Sequence, residues 1–132
     1  MRMEVEKMDC IFCKINNGDI PSYTIYEDDF IRVFLDINPQ SVGHCLIVPK
    51  MHFVDLFDID REYMNHILEK AKMIGKGLMR NFNADGIMLV QNNGICQDVK
   101  HFHLHIIPKY SKPKKMDIEN VYDILKKDTF ND

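Results

Sequence analysis

The chain has 132 residues, of which 45% are hydrophobic, and its formal net charge is −3 at pH 7. This length predicts a single domain over 1–132, with a core in 10–110 and a tail in 111–132, large enough to bury a core without disulfides. The negative charge argues against binding of long nucleic acids, and no stretch approaches the roughly 18 apolar residues that a membrane helix requires.

The N-terminal segment and the cysteines indicate the compartment. Residues 1–9 are charged and polar, without the apolar segment of a secretory signal, and the four cysteines are not distributed like a disulfide framework. We therefore expect a cytoplasmic protein. Cys45 and Cys96 stand singly in or beside apolar segments, which is typical of small buried hydrophobic residues. Cys10 and Cys13 have the spacing of a zinc half-site or of a redox pair. The redox pair is less favoured, because these cysteines do not follow a strand of a β-α-β unit.

The first part of the chain predicts a short helix followed by three strands. Residues 11–16 are partly apolar and end at the Gly and Pro of 18–21, which predicts one or two helical turns. The runs 23–26 and 30–35 are rich in β-branched and aromatic residues and predict a hairpin. The run 44–49 predicts a third strand that ends at its proline. These strands together indicate an antiparallel sheet.

A long amphipathic helix is predicted from Asp60, its N-cap, to about Asn81, because apolar residues recur there at intervals of three and four. Gly75 and Gly77 would each cost about 1 kcal/mol relative to Ala, so they indicate close packing. His66 falls among the polar positions and is interpreted as solvated surface. The apolar positions are Met64, Ile67, Leu68, Ala71, Ile74 and Leu78.

After this helix the chain predicts a strand over 87–90, a polar loop over 91–98 and a strand over 101–108. Apolar residues at helical spacing from Ile118 to Leu125 predict a short C-terminal helix. The fold class is therefore α+β, an antiparallel sheet with one long amphipathic helix packed on it and short N- and C-terminal helices.

The strand 101–108 reads His-Phe-His-Leu-His-Ile-Ile-Pro, and its alternation places the three histidines on one face. On a helix His103 would point away from the other two. An imidazole can act as nucleophile, acid, base or metal ligand, so the row indicates a chemical site. A solvated face and a zinc site are the alternatives. The histidines are His101, His103 and His105, and the core-facing residues are Phe102, Leu104 and Ile106.

The segment 97–108 resembles the signature of the histidine triad (HIT) superfamily of nucleotide hydrolases and transferases. The resemblance continues through 10–15, 34–40 and 43–52 in the same order, and so covers most of the chain. The branch that it resembles most is the nucleoside phosphoramidate hydrolases related to the protein kinase C inhibitor-like proteins. The resemblance implies the HIT-like fold, a purine nucleotide as substrate, and a homodimer formed through the long helix and an edge strand.

The resemblance also implies catalytic roles for three histidines. His103 would attack the α-phosphorus and form a nucleotidyl-histidine, His105 would donate to a phosphate oxygen, and His44 would orient or protonate the site. On spacing alone, His44 reads equally well as an idle histidine at the start of a strand. The loop residues implied to bind substrate are Asn92, Gln97 and Asp98.

For the nucleoside, the resemblance implies an apolar base site, with the Asp36 carboxylate accepting hydrogen bonds from the ribose hydroxyls. The base would lie against Ile11, Phe12, Ile15, Phe34 and Ile37. From the residues alone, these five are ordinary core, and Asp36 is a turn-forming residue.

Two features depart from the family pattern. Only Ile95 and Cys96 separate Gly94 from Gln97, so the phosphate loop is shorter than in relatives. Asp98 stands where several relatives have Ser, and an acid beside a phosphate is not an obvious helper. We expect this carboxylate to face away or to select a leaving group.

In some histidine triad proteins a structural zinc is bound, and the matching positions are all filled here. The implied ligands are Cys10, Cys13, His52 and His101. His101 would then serve the metal while His103 and His105 serve the phosphate. No organic cofactor is expected.

The favoured function is hydrolysis of purine nucleoside 5′-phosphoramidates or nucleotidyl-amines through His103. A first alternative is a dinucleoside polyphosphate hydrolase or nucleotidyl transferase, because loops and the tail build the leaving-group side. A second alternative is a zinc-stabilised nucleotide-binding module with little turnover, because the phosphate loop is short.

Overall fold

The computed structural model of the protein describes residues 9–131, so the polar segment 1–8 lies outside the described residues. Within this range the strands form one antiparallel sheet in the order β1-β2-β3-β5-β4. The strands are β1 (Thr24–Glu27), β2 (Ile31–Leu35), β3 (Cys45–Pro49), β4 (Gly86–Val90) and β5 (Leu104–Lys109). The helices are α1 (Ile11–Asn16), α2 (Arg61–Phe82) and α3 (Ile118–Leu125), and Gly94–Cys96 forms a 3₁₀ turn. The predicted α+β architecture is confirmed.

The central strand β3 is buried at all five positions because apolar groups cover both faces of the sheet. One face carries the main core, in which α2 packs on β3 and β5. The other face carries a smaller cluster under α1. The core-facing residues predicted beside the histidines lie in the main core and are Phe102, Leu104 and Ile106. The histidine face is therefore the face that α1 covers.

The long helix begins and packs as predicted, except at Leu68 and His66. Asp60 accepts a hydrogen bond from the Tyr63 N–H at 2.9 Å. A Cβ on Gly77 would lie 2.5 Å from the Phe130 ring, so the close packing is real. Leu68 was expected to face the core and is 52% exposed, because it falls outside the stripe that meets the sheet. The residues of that stripe include Ile67, Ala71, Ile74 and Leu78.

The interpretation of His66 as solvated surface is wrong. This side chain is only 26% exposed, and its Nε2 lies 2.7 Å from a carboxylate oxygen of Asp28 in the β1–β2 turn. Its ring also packs on Phe30, with the ring centroids 4.9 Å apart. The residue therefore ties α2 to the hairpin.

The histidine strand begins later than predicted. Regular pairing with β3 starts at Leu104, which lies opposite Ile47, and His101 precedes the strand. The Phe102 N–H instead donates to the Phe53 carbonyl at 2.7 Å, because the chain bends toward the cysteines there.

The interpretation of Cys96 as a buried residue is also wrong. It is exposed, because the 3₁₀ turn that contains it projects away from both cores, whereas Cys45 is buried as expected. Among residues 9–131, no helix combines the length and apolar character needed to cross a membrane.

Candidate active site

Cross-strand pairing aligns the polar site with the apolar residues under α1. Leu46 lies opposite both Phe34 on β2 and His105 on β5, and residues directly opposite in a sheet point to the same face. His44 precedes Leu46 by two residues and His103 precedes His105 by two, so alternation sends all of these side chains to one face. The three predicted catalytic residues therefore lie on one face of the paired strands β3 and β5 and the residues just before them.

The hydrogen bond of His103 decides which of its nitrogens is available. Its Nδ1 lies 2.8 Å from the His101 carbonyl, which can only accept, so Nδ1 carries the hydrogen. In the neutral ring Nε2 therefore keeps its lone pair. The side chain is 2% exposed, and Phe12 packs edge-on against it with ring centroids 5.1 Å apart. The arrangement presents a fixed imidazole with a nucleophilic Nε2.

A second chain of hydrogen bonds fixes His44 and His105. The Gln40 backbone N–H donates to Nδ1 of His44 at 3.0 Å, so the neutral His44 ring carries its hydrogen on Nε2. That Nε2 lies 2.9 Å from Nδ1 of His105 and donates to it. The neutral His105 ring consequently carries its own hydrogen on Nε2. His105 is thus a hydrogen-bond donor beside a nucleophile, and their ring centroids are 5.0 Å apart.

Burial keeps both of these histidines neutral. It lowers the pKa of His44 below its usual value, against the raising effect of the Asp36 carboxylate. It also lowers the pKa of His105, and a positive charge on His103 or His44 would act in the same direction. The neutral form of His44 and His105 is therefore favoured.

A cavity of about 240 Å³ opens beside these histidines, and apolar side chains form much of its wall. Phe12, Ile15 and Phe34 are buried in that wall, whereas Ile11 and Ile37 are 46% and 72% exposed at its rim. All five residues predicted to hold a base thus border one cavity. The polar residues on its lining include Asp36, Asp98, His103 and His105.

Asp36 forms a turn, as one of its two interpretations predicted, and it also contacts His44. Its Oδ1 accepts the Asn38 N–H at 2.9 Å, as in a turn, and its Oδ2 lies 3.5 Å from Nε2 of His44. A second cavity of about 260 Å³ shares Asp36 with the first and is also bordered by His44, Lys114 and Lys115. Sequence reasoning missed these lysines as cavity residues, because only the fold brings the tail beside the loop after β2.

The loop before β5 is held by contacts that sequence reasoning did not foresee. Lys100 Nζ donates to the carbonyls of Gly94 at 2.6 Å and Gln97 at 3.1 Å, which braces the short loop. The Gln97 side chain is buried and its Nε2 donates to the Val54 carbonyl at 2.5 Å. Neither Asn92 nor Gln97 is among the described residues that line the 240 Å³ cavity.

Asp98 does not face away from the site. Its side chain is 79% exposed, yet its Oδ1 lies 3.4 Å from Nε2 of His103, the nitrogen with the lone pair. The Val99 N–H donates to the same oxygen at 2.9 Å. A carboxylate therefore lies beside the nitrogen of His103 that keeps its lone pair.

The four predicted zinc ligands form one buried cluster, in which the four possible ligand atoms lie within 4.8 Å of one another. Nδ1 of His101 lies 3.3 Å from Sγ of Cys10 and 3.5 Å from Sγ of Cys13. Nδ1 of His52 lies 3.2 Å from Sγ of Cys13 and 3.1 Å from Nδ1 of His101. A tetrahedral zinc would separate such atoms by about 3.3 to 3.6 Å.

The surroundings of His101 also fit a metal ligand. Its Nε2 donates to the Pro49 carbonyl at 2.8 Å, which leaves the Nδ1 lone pair directed at the sulfurs. A carbonyl that fixes the far nitrogen in this way is common around metal-bound histidines. The donor set therefore fits zinc.

A second group that could hold a metal, Asp36 with His44 and His105, does not fit one. The Gln40 N–H occupies Nδ1 of His44, so the nitrogen that faces His105 carries a hydrogen and has no lone pair for a metal. These residues form a hydrogen-bond network instead.

Comparison with known proteins agrees with this geometry. Residues 17–112 match the family model of the HIT domain. The chain is 41% identical over 102 residues to adenosine 5′-monophosphoramidase HNT1 of Saccharomyces cerevisiae, across 76% of this chain and 62% of that protein. It is 38% identical over 103 residues to adenylylsulfatase HINT3 of Arabidopsis thaliana, across 76% of this chain and 52% of that protein.

Among solved structures, the zinc-bound histidine triad family protein of Mycobacterium smegmatis superposes with a TM-score of 0.85. The two are 34% identical, and the match covers 92% of this chain and 93% of that one. Since the HIT domain match spans most of the chain and includes the histidine row, the chain belongs to the HIT family.

Proposed function

We propose that the protein hydrolyses purine nucleoside 5′-phosphoramidates or nucleotidyl-amines through a nucleotidyl-histidine on His103. One observation carries the proposal: a nucleophilic Nε2 on His103 and a donor Nε2 on His105 border the same apolar cavity. The identity to adenosine 5′-monophosphoramidase HNT1 supports this reaction class.

In the first step, Nε2 of His103 forms a bond to the α-phosphorus while the phosphorus–nitrogen bond breaks. The electron pair stays on the nitrogen, which takes a proton from water and leaves as an amine. Water is the proton source because His44 and His105 are neutral and would become anions on losing a proton. The hydrogen bond from Nδ1 to the His101 carbonyl stabilises the positive charge that the His103 ring gains.

In the second step, the hydroxide left from that water attacks phosphorus and breaks the bond to His103, which yields the nucleoside monophosphate. In both steps Nε2–H of His105 donates to a non-bridging oxygen, where negative charge changes most. His44 orients His105 through their 2.9 Å hydrogen bond. Loss of such a donor typically costs 10²- to 10³-fold in rate.

The cavity suits a purine nucleoside. Phe12 and Phe34, whose ring centroids are 5.7 Å apart, give an apolar wall that tolerates either purine. Asp36 lies at the edge of this wall and has spare acceptor capacity for a ribose hydroxyl, because a carboxylate accepts about four hydrogen bonds.

The decisive test is incubation with adenosine 5′-phosphoramidate. The protein should release AMP, and mass spectrometry of quenched samples should detect an adenylyl group on His103. His103→Ala should lose both signals, whereas His66→Ala, which removes a histidine outside the cavity, should keep them. Undiminished turnover in His103→Ala would refute the mechanism.

We further propose that Cys10, Cys13, His52 and His101 hold a structural zinc. Zinc-bound crystals of the Mycobacterium smegmatis relative and the fit of the ligand atoms support this assignment. The metal would cross-link α1, the segment after β3 and the segment before β5, and it would supply no chemistry to the substrate.

A second candidate reaction is the cleavage of adenylyl sulfate, because the HINT3 relative is named an adenylylsulfatase. Dinucleoside polyphosphate hydrolysis would use the same nucleophile. Turnover of adenosine 5′-phosphoramidate, adenylyl sulfate and diadenosine tetraphosphate at equal concentration separates these reactions. Binding of AMP without turnover of any of the three would favour a binding module.

We also propose a homodimer formed through α2 and the edge strand β4, in a cytoplasmic protein. The four cysteines are not spaced like a disulfide framework, which agrees with a reducing compartment. β4 has one unpaired edge within the described residues, and nearby apolar side chains are exposed on both elements. These side chains are Leu68, Met79, Met88 and Leu89. Light scattering should give about twice the chain mass.

A further inference from the structure

The groove on the far side of Asp98 offers a place for the leaving group. This groove, of about 530 Å³, shares Ile11, Asp98 and Val99 with the nucleoside cavity, and His103 does not line it. If the nucleoside fills the first cavity and its α-phosphate lies at His103, the leaving group must extend beyond that cavity, and this groove adjoins it at Asp98 and Val99. A leaving group that extends from the phosphate can therefore enter this groove.

The charge of the groove is negative. Asp98 and Asp9 both line it and are exposed. Its one lysine within residues 9–131, Lys100, directs its ammonium to the carbonyls of Gly94 and Gln97. Lys114 and Lys115 border the other cavity, which Asp98 does not line.

The Asp98 carboxylate has little charge compensation of its own. Within the described part of the chain, the one basic side chain placed within 4 Å of this carboxylate is His103, whose Nε2 lies 3.4 Å away and keeps its lone pair in the neutral ring. The α-phosphorus must approach the same Nε2 before attack, so the phosphate and the carboxylate become neighbours. Two negative charges at this separation repel each other, and a cation on the leaving group relieves the repulsion.

We propose that Asp98 is a specificity-determining residue that selects leaving amines bearing a positive charge and disfavours anionic leaving groups. The inference rests on the proposed hydrolysis of nucleotidyl-amines and adds the charge class of the amine. It also predicts poor turnover of sulfate and polyphosphate leaving groups, each of which brings further negative charge to Asp98.

Three adenosine 5′-phosphoramidates that differ only in the end of a short amine chain test this proposal. Those made from 1,2-diaminoethane, propylamine and β-alanine carry a cationic, a neutral and an anionic end. The wild type should show the highest kcat/KM for the cationic compound and the lowest for the anionic one. Asp98→Asn should reduce the cation-to-anion ratio by about three- to tenfold, and 0.5 M salt should reduce it in the wild type.

The control is Asp29→Asn, which removes one exposed carboxylate outside the cavities and should leave the ratio unchanged. An equal ratio in the wild type and Asp98→Asn would overturn the selection by Asp98, while hydrolysis that depends on His103 would still support the proposed function. If the compounds bind without turnover, the proposed function fails and the ratio of their dissociation constants tests Asp98 instead. Absence of both binding and turnover would overturn the proposed function and the charge selection by Asp98.

Discussion

At the scale of single residues, backbone groups assign different chemistry to histidines that look equivalent. The His101 carbonyl leaves the lone pair of His103 on Nε2, and the Gln40 N–H makes His44 and then His105 donors at Nε2. Each assignment follows from a group that can only accept or only donate. One hydrogen bond per ring therefore decides the role that each histidine can take.

The lowered pKa values of His44 and His105 predict how stability responds to pH. Burial lowers the pKa of His44 and His105 in the folded protein, while in the unfolded chain both titrate near 6.5. As pH falls from 7 to 5, the unfolded chain binds protons that the native site resists, so the free energy of unfolding falls. Urea unfolding at each pH measures this slope.

Replacing His44 isolates its share of that pH dependence. His44→Gln keeps a polar side chain but removes a group that only the unfolded chain protonates. Between pH 7 and pH 5, the free energy of unfolding of this variant should fall less steeply than that of the wild type. A slope as steep as that of the wild type would contradict the neutral state of His44.

The sequence could predict which residues form this site, but not which ring nitrogen of each histidine carries the hydrogen. Alternation correctly assigns Phe102, Leu104 and Ile106 to the core and the histidines to the opposite face. In His101 and His105, the nitrogen that carries the hydrogen depends on Pro49 and His44, which are far from β5 in sequence. The tertiary structure alone supplies that information.

At the scale of elements, period and caps predicted most boundaries within one or two residues. Asp60 and the apolar repeat define α2, because they act within a few turns of helix. The start of β5 at Leu104 and the exposure of Cys96 were not predictable. The start of β5 depends on the path of the chain beside the cysteine cluster, and the exposure of Cys96 depends on the position of the 3₁₀ turn. Both are set by contacts between distant parts of the sequence.

The two glycines near the end of α2 give a matched pair of predictions. Gly77→Ala should destabilise the protein by about 1–3 kcal/mol, because the new Cβ would lie 2.5 Å from the buried Phe130 ring. Gly75→Ala should stabilise it by about 0.5–1 kcal/mol, because the nearest atom, on Ile87, lies at 3.9 Å and Ala favours helix. Urea denaturation measures both, and equal effects would contradict the packing of Phe130 on α2.

At the scale of the whole molecule, the cysteine cluster joins segments that are distant in sequence. Cys10 and Cys13 flank the start of α1, His52 follows β3, and His101 precedes β5. The same His101 accepts the Nδ1–H of His103 at its carbonyl. The cluster thus joins α1 to the backbone that binds Nδ1 of His103, although none of its four residues lines the 240 Å³ cavity.

Removing the sulfur of Cys13 should therefore reduce both the zinc content and the stability of the protein. We expect purified wild type to contain about one zinc per chain by elemental analysis, and Cys13→Ser to contain much less and to melt at a lower temperature, because metal binding contributes directly to folding. Cys96→Ser is the matched control, since it removes an exposed sulfur outside the cluster and should keep both the zinc and the melting temperature. Full zinc occupancy in Cys13→Ser would refute the ligand assignment. A zinc-depleted variant with unchanged melting temperature would instead refute the view that this cluster holds α1 against the sheet.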